Sequence, residues 1–280
     1  MSEPLPFNSR IHYVNGIDLF TLDHGSGEPV LLLHGFPDSH RLWRHQVPFL
    51  LERGFRVIAP DLRGFGASSR PEGVGAYSLH HIVSDLVSLL QDMSLSRVHL
   101  VGHDFGAVLA WSFAAMVPRA VDRLAVMSVG HPMSFRRNHS VAQREKSWYM
   151  LFFQFEEVAE MALQAEDWQL LRELVRHHPE CDRWIADLSR PGALTAALNW
   201  YRANMKPKLQ GRQPVPAVSA DTLGIWSDED PFLLESQMRD SAHFVRGQWR
   251  FEALRGAGHW MQLDAPDQVN HLLSSFLKPD

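Results

Sequence analysis

The chain has 280 residues, of which 45% are hydrophobic and 21% charged, a composition typical of a globular protein. Its 27 basic and 32 acidic residues leave a formal net charge of −5 with no long run of either sign, so we expect no binding to nucleic acid. The longest apolar stretch, 106–117, is too short to cross a bilayer, and residues 1–10 show no secretory signal. The single cysteine, Cys181, excludes an intrachain disulfide and a cysteine-built zinc site. We therefore expect a cytoplasmic protein without a membrane partner.

The predicted elements begin with a β-hairpin, because residues 10–23 alternate in polarity on both sides of Asn15-Gly16, a dipeptide favoured in tight hairpin turns. Four short apolar runs follow, and each predicts a strand that is buried on both faces: 30–33, 57–59, 98–101 and 124–129. Helix-length segments lie between these runs, at 42–52, 79–93 and 106–117. Alternating strands and helices predict an α/β fold, with a parallel sheet covered by helices on both faces.

The alternation stops after the sixth predicted strand. Residues 132–216 contain four tryptophans and several helical patterns without a convincing strand, which predicts a helical insertion. The later elements are predicted at 222–226, 233–243, 249–254 and 266–277. We therefore predict a core domain formed by residues 1–131 and 217–280, with a helical cap domain at 132–216. The Pro-rich residues 213–216 are expected to lead the chain back to the sheet.

One segment, 98–107, indicates the chemistry. A predicted strand runs into Gly-His-Asp-Phe-Gly and at once into a helix, which is the context of a nucleophile elbow that exposes one side chain, here Asp104. Taken alone, the segment also fits a common turn in which an aspartate caps the helix. The chain contains no Gly-x-Ser-x-Gly, so an elbow nucleophile must be a carboxylate. A carboxylate attacks alkyl carbon and forms a covalent ester.

With this elbow the sequence resembles the α/β-hydrolase fold family, and within it the epoxide hydrolases, over nearly its whole length. The resemblance implies a mostly parallel eight-stranded sheet with a cap inserted after the sixth strand. Residues 34–37, His-Gly-Phe-Pro, resemble the family's His-Gly-x-Pro loop. This implies that the backbone N–H groups of Phe36 and Phe105 form an oxyanion hole, ready for charge that develops on the carboxyl oxygen of Asp104.

The resemblance also implies an acid and a base after the insertion. Residues 227–231 offer two acids, and the family's Gly-x-x-Asp-Pro pattern selects Asp230, whereas Asp228 fits a turn residue. His259, in Gly-Ala-Gly-His-Trp after the last predicted strand, is identified as the base. Asp104, Asp230 and His259 thus follow one another in the order that this fold uses, each just past a strand end.

Two segments of the insertion, 147–154 and 199–205, resemble cap segments of epoxide hydrolases. They contain two of the chain's four tyrosines, Tyr149 and Tyr201. An epoxide oxygen leaves as an alkoxide, a poor leaving group, so a phenol that donates its proton as the C–O bond breaks lowers the barrier. The same rings could instead only pack the cap against the core. The match is incomplete, because Phe105 stands where the family often has tryptophan and Phe-Glu-Glu at 155–157 where it often has Pro-Gly.

These features predict an epoxide hydrolase that converts a small apolar epoxide and water to a vicinal diol. We expect no cofactor and no metal site, and either a monomer or a homodimer. The substrate-binding side chains are predicted to be Trp43, Phe153 and Trp260. Two alternatives stay open: a haloalkane dehalogenase, which shares the aspartate elbow, and a catalytically silent domain that binds an apolar ligand. Phe105 disfavours the first, because its side chain has no N–H group, such as that of an indole, to hold a halide.

Overall fold

The computed structural model of the chain describes residues 7–138, 140–205 and 215–277. An eight-stranded sheet forms its centre. The strands are β1 (Ser9–Val14), β2 (Ile17–His24), β3 (Pro29–Leu33), β4 (Arg56–Pro60), β5 (Val98–His103), β6 (Val121–Met127), β7 (Asp221–Ser227) and β8 (Trp249–Leu254). Their order across the sheet is β1-β2-β4-β3-β5-β6-β7-β8, and β2 alone runs in the opposite direction to the other seven strands. The predicted mostly parallel sheet is confirmed.

The first hairpin turns at the predicted dipeptide. Asn15 and Gly16 have φ angles of 49° and 77°, which matches the positive φ at both central positions of a type I′ turn. Val14 pairs with Ile17 across this turn, and the side chains of both are buried. The hairpin adds β1 and β2 to the sheet on the side of β4 that faces away from β3.

The chain before the cap also contains helices that pack against the sheet. They are α1 (Gln46–Glu52), α2 (Leu79–Asp92) and α3 (Phe105–Met116). One prediction was wrong in detail: the helix expected over 42–52 is a short 3₁₀ helix, His40–Trp43, followed by α1. Pro48 lacks a backbone N–H and fits only the first turn of a helix, so α1 begins shortly before it.

The insertion after the sixth strand is helical, as predicted. Its described helices are α4 (Pro132–Arg137), α5 (Val141–Lys146), α6 (Trp148–Phe152), α7 (Val158–Leu174, with non-helical backbone at 165–168), α8 (Cys181–Leu188) and α9 (Ala193–Asn204). We call this segment the cap. Its predicted limits, 132 and 216, stay a prediction, and residues 213 and 214 of the expected return segment lie outside the described ranges.

The chain after the cap returns to the sheet with α10 (Glu235–Asp240), α11 (Met261–Asp264) and α12 (Pro266–Leu277). Every helix within the described ranges is too short or too polar to cross a membrane. Because β3, β5, β7 and β8 are parallel, their carboxyl ends lie at one edge of the sheet. The loops that leave this edge carry the residues described next.

Candidate active site

Asp104 lies in the sharp turn between β5 and α3. Its φ of 53° and ψ of −122° are rare for a residue other than glycine. Two glycines make the turn possible, since a Cβ on Gly102 would collide with the backbone carbonyl of Gly106, and one on Gly106 with that of Leu33. The Asp104 side chain makes no capping hydrogen bond to α3. The geometry is therefore that of a nucleophile elbow and excludes the helix-cap interpretation.

Two backbone amides face the carboxylate of Asp104. The N–H of Phe36, in the loop after β3, donates to Oδ1 at 2.9 Å. The N–H of Phe105, at the start of α3, also helps to lower the pKa of this carboxylate. Both amides predicted to form an oxyanion hole therefore act on the same side chain.

His259 lies between two carboxylates. Its Nδ1 is 2.8 Å from Oδ2 of Asp230, and its Nε2 is 3.4 Å from Oδ2 of Asp104. The second oxygen of Asp230 accepts hydrogen bonds from the N–H groups of Phe232 and Leu233, so both oxygens of this buried carboxylate are used. The bond from Nδ1 directs Nε2 of His259 toward Asp104.

Asp228, the acid that the sequence analysis set aside, lies on the surface. Its Oδ1 accepts a hydrogen bond from the N–H of Gly256 and so joins the loop after β7 to the loop after β8. The structure therefore brings Asp230 to His259 and leaves Asp228 outside the site, where it connects two loops and does not cap the next helix.

The two carboxylates set the charge of His259. Burial lowers the pKa of His259, but Asp230 and Asp104 together outweigh it and raise the pKa to about 10. Burial likewise raises the pKa of Asp104, and the hydrogen bond and charge of His259 outweigh it, so the pKa lies below its ordinary value. At neutral pH the group therefore rests as an imidazolium between two carboxylates.

Two further side chains hold the loop of His259. The backbone carbonyl of His259 accepts hydrogen bonds from Nε2 of His103 at 2.9 Å and from Oγ of Ser128 at 3.3 Å. Burial lowers the pKa of His103 to about 4, so this ring is neutral and carries its proton on Nε2. The sequence analysis missed both residues, although His103 directly precedes Asp104.

Tyr149 and Tyr201 reach the same pocket from two cap helices. Tyr149 lies on α6 and Tyr201 on α9, and their ring centroids are 5.9 Å apart. Both tyrosines line a cavity together with Asp104. Burial raises the pKa of each phenol well above 10, so both keep their O–H groups at neutral pH. The structure therefore brings all five predicted catalytic side chains together.

The three predicted substrate-binding side chains lie in different places. Trp260 lines the cavity beside His259. Phe153 is fully buried behind the tyrosines, with its ring centroid 4.9 Å from that of Tyr201, and does not line the cavity. Trp43 is fully buried because its 3₁₀ helix turns it into the core, so the structure does not bring it to the site.

Other residues line the cavity that the sequence analysis did not select. Phe232, Leu174 and Val175 complete the wall near His259. Phe232 had a signal, because it stands two residues after Asp230, whereas the apolar pair at the end of α7 had none. Among the described residues, no three His, Cys, Asp or Glu side chains gather as a metal site would need.

Comparison with known proteins identifies the family. A model of the alpha/beta hydrolase fold matches residues 28–266. Epoxide hydrolase 2 of Caenorhabditis elegans is 33% identical over 98% of this chain and 78% of its own length. Epoxide hydrolase A of Mycobacterium tuberculosis is 31% identical over 96% of each chain.

Solved structures agree with these relatives. Epoxide hydrolase A from Mycobacterium thermoresistibile matches with a TM-score of 0.82 at 28% identity, over 98% of both chains. An epoxide hydrolase of Bacillus megaterium in complex with an inhibitor matches with a TM-score of 0.85 at 27% identity, over 96% of this chain and 99% of that one. The chain belongs to the α/β-hydrolase fold family, and within it to the epoxide hydrolases.

Proposed function

We propose that this protein hydrolyses epoxides to vicinal diols through a covalent ester on Asp104. One observation carries the proposal: Tyr149 and Tyr201 face the cavity that the carboxylate of Asp104 borders. A nucleophile and two neutral phenols around one space suit an epoxide, which needs attack at carbon and protonation at oxygen. The names of the relatives support the same reaction.

In the first step the ionised carboxylate of Asp104 attacks a ring carbon from the side opposite the C–O bond. The bond to oxygen breaks, and Tyr149 or Tyr201 donates its proton to the departing oxygen. The product is a hydroxyalkyl ester and one tyrosinate. The low pKa of Asp104 supports this role, because the nucleophile must be ionised before substrate enters.

Forming the ester changes the charge of His259. The imidazolium rests between two carboxylates, and esterification removes the charge of Asp104, so the pKa of His259 falls toward neutrality. The proton that His259 then releases restores the tyrosine. His259 becomes the neutral base only after the first step, when a base is required.

In the second step His259 takes a proton from water, and the hydroxide attacks the carbonyl carbon of the ester. The N–H groups of Phe36 and Phe105 stabilise the charge that develops on the carbonyl oxygen. Collapse releases the diol, which takes its proton from His259, and the regenerated carboxyl group returns a proton to His259. The sum is one epoxide and one water consumed and one diol formed.

Measurement of diol formation from a panel of soluble epoxides tests this function. Halide release from short bromoalkanes, measured in parallel, distinguishes the dehalogenase alternative. We expect diol from at least one epoxide and no halide. Halide without diol would support a dehalogenase, and ligand binding without either product would support a silent binding domain.

A further inference from the structure

Two cavities of very different size meet at the reacting groups. Asp104, Tyr149 and Tyr201 line both of them. One cavity has a volume of about 20 Å³ and the other about 710 Å³. A substrate held at Asp104 therefore has ample space in the larger cavity and almost none in the smaller one.

The small cavity contains the base. His259 lines this cavity and not the larger one. A volume of about 20 Å³ holds roughly one water molecule. The water that attacks the ester must lie beside His259, so this space is needed for it.

The walls of the small cavity are packed between cap and core. The indole of Trp260 has its ring centroid 4.5 Å from that of Trp184 on α8 and 5.1 Å from the ring of His178. Val175, which directly follows α7 of the cap, is only 2% exposed. A close-packed wall of this kind does not expand without displacing its neighbours, so the small volume is a lasting restriction.

The large cavity is lined mainly by apolar side chains. They include Leu79, Val108, Val129, Phe135, Met150 and Leu233. A volume of about 710 Å³ lies in the range of pockets that bind drug-sized ligands. An extended apolar group attached to one epoxide carbon fits here.

We propose that this site selects epoxides that carry their bulk on one ring carbon only. The other ring carbon, which projects toward His259, must bear hydrogen, because a substituent there would occupy the space of the hydrolytic water. The substrate class is thus terminal epoxides with one bulky apolar arm. This inference rests on the proposed function and adds to it the shape of the substrate.

Two probes with the same arm test the proposal. Styrene oxide carries one phenyl group, and trans-stilbene oxide carries a second one on the other carbon. We expect kcat/KM for styrene oxide to exceed that for trans-stilbene oxide by about 100-fold or more, the discrimination that a misfit of this size gives. Equal values, or a preference for trans-stilbene oxide, would overturn the inference but leave epoxide hydrolysis intact. Failure of both probes and of the wider panel would overturn the function itself.

A matched pair of leucine variants tests whether the small cavity causes the preference for styrene oxide over trans-stilbene oxide. Leu174 lines the small cavity and Leu79 the large one, and both are partly buried. Leu174→Ala should reduce the ratio of kcat/KM for styrene oxide to kcat/KM for trans-stilbene oxide by about tenfold, because it enlarges the small cavity. Leu79→Ala should leave the ratio unchanged. Equal narrowing in both variants, or none in Leu174→Ala with a folded protein by circular dichroism, would contradict the proposal.

Discussion

The guanidinium of Arg202 donates a hydrogen bond from Nε to the backbone carbonyl of Phe153 at 2.9 Å, and this bond ties the helix of Tyr201 to the end of the helix of Tyr149. The same side chain is 1% exposed and forms a bidentate pair with Glu160, with both distances 2.7 Å. Arg202 therefore sets how the two tyrosine-bearing helices meet. It is a positioning residue, since it does not line either cavity.

Replacement of Arg202 separates stability from positioning. Arg202→Met removes the ion-pair partner of the partly buried Glu160, which should cost about 1.5–3 kcal/mol of unfolding free energy. Arg202→Met combined with Glu160→Leu should recover much of this stability in urea denaturation. Because the bond to Phe153 is still missing, kcat for an epoxide should stay at least about tenfold below wild type. Full recovery of kcat in the double variant would mean that Arg202 only neutralises Glu160.

The two tyrosines should share the task of proton donation. Tyr149→Phe and Tyr201→Phe each keep the ring packing and remove one phenol, so we expect kcat to fall by about 10 to 100-fold with the second phenol in place. The double variant should lose ring opening. Tyr13, which is 75% exposed on β1, offers a Tyr→Phe control that should behave like wild type. A fully active double variant would contradict the assignment of both tyrosines as proton donors.

His259 should be required as the base of the second step. His259→Gln keeps the site polar but removes the base, so turnover should fall by about 1,000-fold while the ester accumulates. Intact-protein mass spectrometry should show a gain equal to the mass of the epoxide. Adding Asp104→Asn to this variant should abolish the gain. An unchanged steady-state rate in His259→Gln would refute its role as base.

The charge of His259 should make stability depend on alkaline pH. The folded-state pKa of about 10 lies above the ordinary 6.5, so the stabilisation is fully present below pH 6.5 and is lost as pH rises through 10. We expect wild type to be more stable than His259→Gln at pH 7 by a few kcal/mol at most, of order the shift itself. Urea denaturation between pH 7 and pH 10 should show this difference shrinking. A difference that is constant over this range would contradict the imidazolium state.

The residues that chemistry ties to a local backbone pattern were predictable from sequence. Asp104 stands in a strand-turn-helix segment that needs Gly102 and Gly106. His259 stands in a loop that follows a strand. Burial is different, because it depends on how distant elements pack. Trp43 was predicted to bind substrate but points into the core, as its apolar neighbour Leu42 also does.

The cavity walls could not be predicted for the same physical reason. Leu174 is the last residue of α7 and Val175 follows it, both as ordinary apolar residues, and only the docking of the cap on the core brings them beside His259. The fold itself was easier to predict from the sequence, because each apolar run was long enough for one strand only. The break between the 3₁₀ helix and α1 was missed, although Pro48 marks it.

A single-turnover reaction in oxygen-18 water tests the covalent ester most directly. With enzyme in excess over an epoxide, the diol takes its new oxygen from the carboxylate of Asp104, and the water oxygen enters Asp104 instead. Mass spectrometry of the peptide that contains Asp104 should therefore show one oxygen-18 atom, and the diol should show none. A labelled diol with an unlabelled Asp104 would mean direct attack of water on the epoxide and would contradict the account.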